Sequence, residues 1–178
     1  MHAIVSLLDE AHYRRVEEIW AELDRRFGLR GAYGTPFPHV TYQVAQGYDL
    51  DRLEPLLHQV AQRCRPFRIQ TGGIGVFTGP APVLYLPVAR SAALARCHQA
   101  VWVAATSCGT GLVGYYEAHR WLPHITLGER DISLDLLPQV VGYLNTLSLD
   151  WDVEVDNLAL IWHTGTRQEL RLRLPLGL

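Results

Sequence analysis

Pro38-His39-Val40-Thr41 and Pro123-His124-Ile125-Thr126 spell one tetrapeptide twice, 85 positions apart from 39 to 124, in a chain of 178 residues. Each copy is followed by an apolar residue, Tyr42 or Leu127, so each reads as a short β-strand. Side chains two apart on a strand share a face. His39 therefore projects with Thr41, and His124 with Thr126, while Val40 and Ile125 turn the other way into a core. The spacing is close to half the chain. It predicts an α+β fold of two pseudo-symmetric lobes, each an antiparallel sheet with helices on the outside, and motif strands facing a central cleft. Two imidazoles and two hydroxyls meeting across a pseudo-twofold axis supply an acid, a base and two donors for one small anionic group.

Working outward, residues 3–9 are apolar and β-branched, and 10–27 carry Val16, Ile19, Trp20 and Leu23 at helical spacing up to Gly28. A loop with Gly31, Gly34, Pro36 and Pro38 leads into the strand 39–45, and Asp49 or Asp51 caps a helix that runs to about 64. Residues 66–77 and 83–89 form a hairpin interrupted by Thr78-Gly79-Pro80-Ala81-Pro82, followed by a helix over 91–107. After a Gly-rich break at 109–114 come the strand 124–128, a helix over 133–147, and two final runs, 151–162 and 169–176, that complete antiparallel edges. Nothing reads as a linker, so a single bilobal domain is expected over residues 1–178.

Composition narrows the function classes. A hydrophobic content of 48% gives a core of ordinary size, and 16 basic against 18 acidic residues leave a formal charge of -2. That balance lacks the electrostatic footprint expected of a duplex-DNA binder, but it suits a small or single-stranded phosphate ester. All the basic residues are arginine. Cys64, Cys97 and Cys108 have no paired spacing and read as reduced thiols in helical segments. Cys97, His98, Cys108 and His119 do not match the spacing of a structural zinc site. The amino-terminal run reads as a first strand, too short for a signal peptide or membrane span. A cytoplasmic monomer is expected.

The doubled His-aliphatic-Thr (HxT) element resembles the two-histidine phosphoesterase superfamily, in particular its 2′-5′ RNA ligase and cyclic phosphodiesterase branch. Gly73-Ile74-Gly75-Val76-Phe77 with Val83-Leu84-Tyr85-Leu86 is similar to that branch's Gly-x-Gly-x-Phe strand and its successor. Leu158-Ala159-Leu160 and Leu174-Pro175-Leu176 are similar to its closing strands. The resemblance implies a bilobal fold and a phosphoesterase that uses neither metal nor cofactor. It implies RNA-derived 2′,3′-cyclic phosphates or cyclic nucleotides as substrates, opened to a 2′-phosphate, with 2′-5′ ligation as the reverse. His39 and His124 match its motif histidines, and Thr41 and Thr126 its phosphate-holding hydroxyls. Tyr42 and Gly128 depart from the commoner pattern, with Arg130 only later.

The chemistry stands beside the resemblance. Opening a cyclic phosphodiester with water needs one group to take a proton from the nucleophile and another to protonate the departing sugar oxygen. Two histidines of ordinary pKa, about 6.5, supply both states near neutrality. Thr41 and Thr126, with few rotamers, aim donors at the non-bridging oxygens. Near-symmetry leaves acid and base unassigned. Further candidate contacts are Phe37 before the first motif, Tyr116 and Arg120 before the second, and His163 and Arg167 in the last turn. Tyr115 and Trp121 read equally as cleft or core, and His2, His12, His58 and His98 as ordinary surface or helix residues. A module that binds a nucleotide or RNA end without turnover remains open on sequence alone. So does an esterase for a non-RNA cyclic phosphate, such as a cyclic ADP-ribose phosphate.

Overall fold

The computed structural model of the protein describes residues 1–177. The first strand, β1 (His2–Leu7), leads to Asp9, whose carboxylate accepts the His12 backbone N–H at 3.0 Å and starts α1 (Glu10–Phe27). Gly28, at φ 70, closes that helix in the left-handed conformation. Val16, Ile19, Trp20 and Leu23 are buried along one stripe, as their spacing requires. The first motif opens β2 (His39–Ala45), followed by β3 (Gly47–Tyr48) and α2 (Leu50–Arg63), which Asp49 caps. Then come β4 (Phe67–Gln70), β5 (Gly75–Phe77), β6 (Val83–Pro87) and α3 (Ala92–Thr106), capped by Ser91. The chain continues through β7 (Gly109–Thr110), β8 (His124–Gly128) with the second motif, α4 (Leu137–Leu144), β9 (Asp152–Val155), β10 (Asn157–His163) and β11 (Gln168–Pro175).

Two antiparallel sheets carry the motifs, one in the order β11-β10-β1-β2 and the other β5-β6-β8. Both motif strands are thus sheet edges, and they lie against each other at the centre of the molecule. The pairing registers repeat. Leu7 faces His39 and Val5 faces Thr41, while Pro87 faces His124 and Tyr85 faces Thr126. Each ladder then slips by one residue directly after the threonine, leaving Tyr42 and Leu127 as the extra residues of two equivalent β-bulges.

The helices are exchanged between the halves. α1, which follows β1, packs on β8, and α3, which follows β6, packs on β2. Two indoles lock this exchange: Trp20 of α1 donates Nε1–H to the Thr126 carbonyl at 3.3 Å, and Trp121 donates its own to the Thr41 carbonyl at 2.9 Å. Trp121, Tyr42, Ile125 and Leu127 are fully buried around this seam.

Several expectations are refined. The run 66–77 divides into β4 and β5, which belong to different sheets because β4 pairs with β9. The run 151–162 likewise breaks at Asp156, and β10 lies inside its sheet, not at an edge. The expected helix over 133–147 is helical only over Leu137–Leu144, entered through backbone turns at Ser133. Cys64 is the C-cap of α2 and Cys108 lies beyond α3, so of the three cysteines Cys97 alone sits within a helix. Two histidines read as ordinary are buried: His2, 8% exposed, and His98, 1% exposed. Among the described residues no helix is long and apolar enough to cross a membrane.

Asn157 ties the end of the four-stranded sheet together. Its Oδ1 accepts the Leu7 N–H at 3.0 Å and its Nδ2 donates to the Leu7 carbonyl at 2.9 Å, imitating a backbone pairing where the ladder between β1 and β10 has ended. Ser6 Oγ donates to the Asn157 carbonyl and hydrogen-bonds the Tyr42 hydroxyl at 2.8 Å. Replacing Asn157 with Ala strands two buried backbone groups. It is expected to cost roughly 2–4 kcal/mol, read from urea unfolding midpoints at unchanged m-value.

Candidate active site

The bulges decide which side chains reach the cleft. An extra residue in one strand resets its alternation, so the face that begins with His39 and Thr41 continues at Val44, and the face of His124 and Thr126 at Glu129. All six line one cavity of about 530 Å³. Phe37, Tyr115 and Tyr116 also line it, as do Phe77, Trp20, Arg130 and Gln168.

Each motif histidine is held in the same way. The Nδ1–H of His39 donates to the Phe37 carbonyl, and that of His124 to the Leu122 carbonyl at 2.8 Å, in each case two residues upstream. This fixes the tautomer. The neutral ring carries its lone pair on Nε2, the atom left free to take or give a proton. Burial holds His39 down at about 4, with the Phe37 carbonyl opposing and His124 adding to the depression. Burial also lowers His124, opposed by the Leu122 carbonyl. Both rings are therefore neutral near neutral pH.

Three aromatic rings surround His124. Phe77 meets it edge-on at 5.0 Å between centroids and stacks on Tyr85 at 4.1 Å, while Tyr115 stands edge-on to Phe77 at 5.6 Å. Gly75 makes this possible, since a Cβ there would lie 2.2 Å from the Tyr85 ring. Burial pushes the Tyr115 and Tyr116 phenols up to about 12, so both remain protonated donors. The Tyr115 hydroxyl is buried with no hydrogen-bond partner among the described residues.

The opposite wall is a clasp between two loops. Asp131 Oδ2 accepts the N–H groups of Arg30 and Gly31 at 2.6 and 2.7 Å. Gly31 is obligatory in this packing, because a Cβ would lie 1.7 Å from the Glu129 carbonyl oxygen. Arg130, at φ 73, pairs with Glu129 at 3.3 Å. Burial raises the Glu129 carboxyl, with Arg130 opposing and Asp131 adding.

Of the residues proposed from sequence, the structure gathers Phe37, His39, Thr41, Tyr116, His124 and Thr126 in the cavity. Three lie outside its lining. Arg120 is exposed, and Arg167 pairs with Glu169 at 2.6 Å in the β10–β11 turn. His163 accepts the Gly165 N–H in that same turn. Trp121 is core. Sequence reading missed Trp20, Phe77, Glu129 and Gln168 as cleft residues. Glu129 and Val44 keep the same 85-residue offset as the motifs, a signal available in sequence once the bulge is known. Among the described residues no group of three or more His, Cys, Asp and Glu side chains is placed to hold a metal ion.

A family model described as the 2′-5′ RNA ligase superfamily matches residues 8–167. The chain belongs to that superfamily. Among named relatives, a Bacillus cereus protein that carries a phosphoesterase name is 25% identical over 146 residues, covering 78% of this chain and 80% of its own. A Bacillus mycoides protein so named is 24% identical over the same length and coverage. In fold, the chain is similar to TT0787 of Thermus thermophilus, with a TM-score of 0.68, 16% identity, and 99% and 97% of the two chains covered. Escherichia coli LigT complexed with 3′-AMP gives 0.54 at 16% identity, covering 99% of each chain. Kluyveromyces marxianus Usb1 with uridine monophosphate gives 0.52 at 14%, covering 98% and 97%. The superfamily fold thus accounts for both lobes.

The depressed histidines link the site to stability. Because the folded pKa of His39 lies near 4 and the unfolded value near 6.5, the unfolded chain binds the proton first as pH falls. This contribution is complete above about 6.5 and is lost on the way down to about 4, amounting to about 3 kcal/mol. His2, His98 and His124 are lowered too and act in the same direction. Urea unfolding at pH 7 and pH 4 is expected to show a smaller acid loss in His39→Gln than in the unsubstituted protein. An NMR titration should find the His39 ring titrating near 4.

Proposed function

We propose that the protein is a phosphoesterase that opens 2′,3′-cyclic phosphates at RNA ends or in cyclic nucleotides, leaving a 2′-phosphate. The observation that carries this reading is the paired histidine geometry. Two imidazoles from equivalent strands have Nδ1 tied back to a carbonyl and Nε2 free, with Thr41 and Thr126 beside them in one cavity. Superfamily membership supports the reaction class. That LigT and Usb1 are solved with 3′-AMP and uridine monophosphate supports a nucleotide-derived substrate.

The cyclic phosphate seats its non-bridging oxygens on the Thr41 and Thr126 hydroxyls. Water attacks phosphorus from one side as one Nε2 removes its proton, the bond to the 3′ oxygen breaks, and the other imidazolium delivers a proton to that oxygen. With a 5′ hydroxyl in the place of water, the same steps open the cyclic phosphate into a 2′-5′ phosphodiester, the 3′ oxygen again leaving with the acid's proton. The anionic substrate raises the pKa of whichever ring it approaches, which restores one proton to the neutral pair. His39, the ring held at about 4, is assigned as the base and His124 as the acid. The Phe77, Tyr85 and Tyr115 rings beside His124 offer a face for the nucleobase.

Phosphorus NMR of 2′,3′-cyclic AMP with excess chelator is expected to show conversion to the 2′-phosphate. His39→Ala and His124→Ala should each lower kcat/KM by about 10²–10⁴. No turnover of mononucleotides or of a short RNA with a cyclic end would sink the activity, and binding without turnover would favour a recognition module.

The role assignment has its own test. A bridging sulfur in place of the 3′ oxygen leaves without protonation, so it is expected to restore much of the rate to His124→Ala and little to His39→Ala. The opposite pattern would reverse the roles. The kcat/KM profile reports the free protein, so its basic limb should fall below the ordinary histidine value of about 6.5.

A further inference from the structure

The cleft does not stop at the motifs. Val44 on β2 pairs with Ala3 on β1, and Ala3 pairs with Ile161 on β10, so three cavity-lining side chains form one row across the four-stranded sheet. The row leads to Gln168 on β11. Its partner His163 lies two residues along β10 from Ile161 and therefore on the same face. From β2 to β11 are three strand spacings, ~14 Å at about 4.8 Å each. The opposite arm of the cavity runs past His124 to Phe77 and Tyr115, on the other side of the motif strands. The histidine pair thus stands inside an elongated cleft, with room on either side of the phosphate.

The two arms differ in chemistry. The Phe77 arm is aromatic, whereas the floor between Thr41 and Gln168 is small and aliphatic, without a charged group in its row. At its end the Gln168 Oε1 is buried and has no hydrogen-bond partner among the described residues. Buried side-chain acceptors are ordinarily paired, and one left open in the wall of a substrate cleft is matched by a donor that arrives with the ligand. Leu170, opposite Ile161 on the same face, is 39% exposed and extends the apolar floor outward. An aliphatic floor ending in one carboxamide does not fit a phosphate. It fits the face of a sugar or base with an N–H or O–H at its far edge.

We propose that this row is a subsite for a second nucleoside and that Gln168 accepts a hydrogen bond from it. The substrate is then a chain end of at least two nucleotides, not a mononucleotide. The proposal rests on the phosphoesterase reading of the cleft and adds to it the substrate length and the residue that senses it. Gln168 does not touch the reacting atoms, so its loss affects the longer substrate alone.

The test compares kcat/KM for adenosine 2′,3′-cyclic phosphate and for the ApA dinucleotide ending in a 2′,3′-cyclic phosphate, with the unsubstituted protein, Gln168→Leu and Ala3→Leu. The dinucleotide is expected to exceed the mononucleotide by about tenfold or more. Gln168→Leu should lower the dinucleotide value by about tenfold with the mononucleotide unchanged. Ala3→Leu, which fills the row without removing a polar group, should also cut the dinucleotide preferentially. Equal values for the two substrates in the unsubstituted protein, or a Gln168→Leu loss shared by both, would overturn the subsite. Should neither substrate be cleaved, the activity has failed and the subsite is judged by calorimetry. Binding of ApA bearing a terminal 2′-phosphate about tenfold tighter than adenosine 2′-phosphate, lost in Gln168→Leu, supports it, and equal affinities overturn it.

Discussion

Two tryptophan N–H groups, each capping a motif threonine's carbonyl from across the seam, hold the arrangement on which everything else depends. β2 and β8 are edge strands, so each leaves peptide groups without a ladder partner where it meets the other lobe. Buried and unpaired, such groups are destabilising. Trp20 and Trp121 satisfy the Thr126 and Thr41 carbonyls, and each arrives with structure belonging to the other motif's surroundings. His98 of α3 stacks on Trp121 at 4.0 Å and also contacts the Tyr116 carbonyl at 2.8 Å, while Arg90 lies 5.7 Å from the same indole. A fold that separated its lobes would break these contacts. The two threonine hydroxyls are therefore fixed relative to each other by the same groups that close the core.

The electrostatics follow from the same burial. A cleft deep enough to remove water also lowers both imidazoles, which makes the resting site uncharged at its centre. Such a site does not attract an anion by net charge. Under the proposed reading it relies on hydroxyls and on histidines that gain a proton as the anion enters. The chain's balance of acids and bases agrees with this, since its arginines are largely engaged in pairs such as Arg25 and Arg26 with Glu22 or Arg68 with Asp152.

How much of this was legible in the sequence depends on the range of the determining contact. The doubled motif, its half-chain spacing and the local signals at Gly28 and Asp49 gave the lobes, the motif faces and most element boundaries. These are one-strand and one-turn effects, and residues nearby in sequence determine them. The pairing of β4 with β9, the interior place of β10 and the exchange of α1 and α3 depend on contacts between distant segments, for which no local pattern exists. The site shows the same division. His39, Thr41, His124 and Thr126 were found by period-two alternation, whereas Val44 and Glu129 reach the cavity only because the bulges at Tyr42 and Leu127 break that alternation. Arg120, His163 and Arg167 were placed near the cleft by sequence proximity to a motif or turn, but none of them lines the cavity.

Duplication set the frame, and the departures from it give the cleft its direction. The 85-residue offset places Val44 opposite Glu129 and Phe37 opposite Leu122. One motif therefore continues into an aliphatic floor and the other into a carboxyl paired with Arg130. Phe37 lines the cavity, whereas Leu122 is 54% exposed. His39 consequently sits in the more enclosed half and titrates near 4, while His124 stands among Phe77, Tyr85 and Tyr115. Acid and base are equivalent in a perfect twofold arrangement, and such a site would bind an asymmetric cyclic phosphate in either sense. Unequal walls remove that degeneracy: under the proposed reading the sugar and base fit one side only, and packing decides, before any proton moves, which bond lies opposite the attacking water.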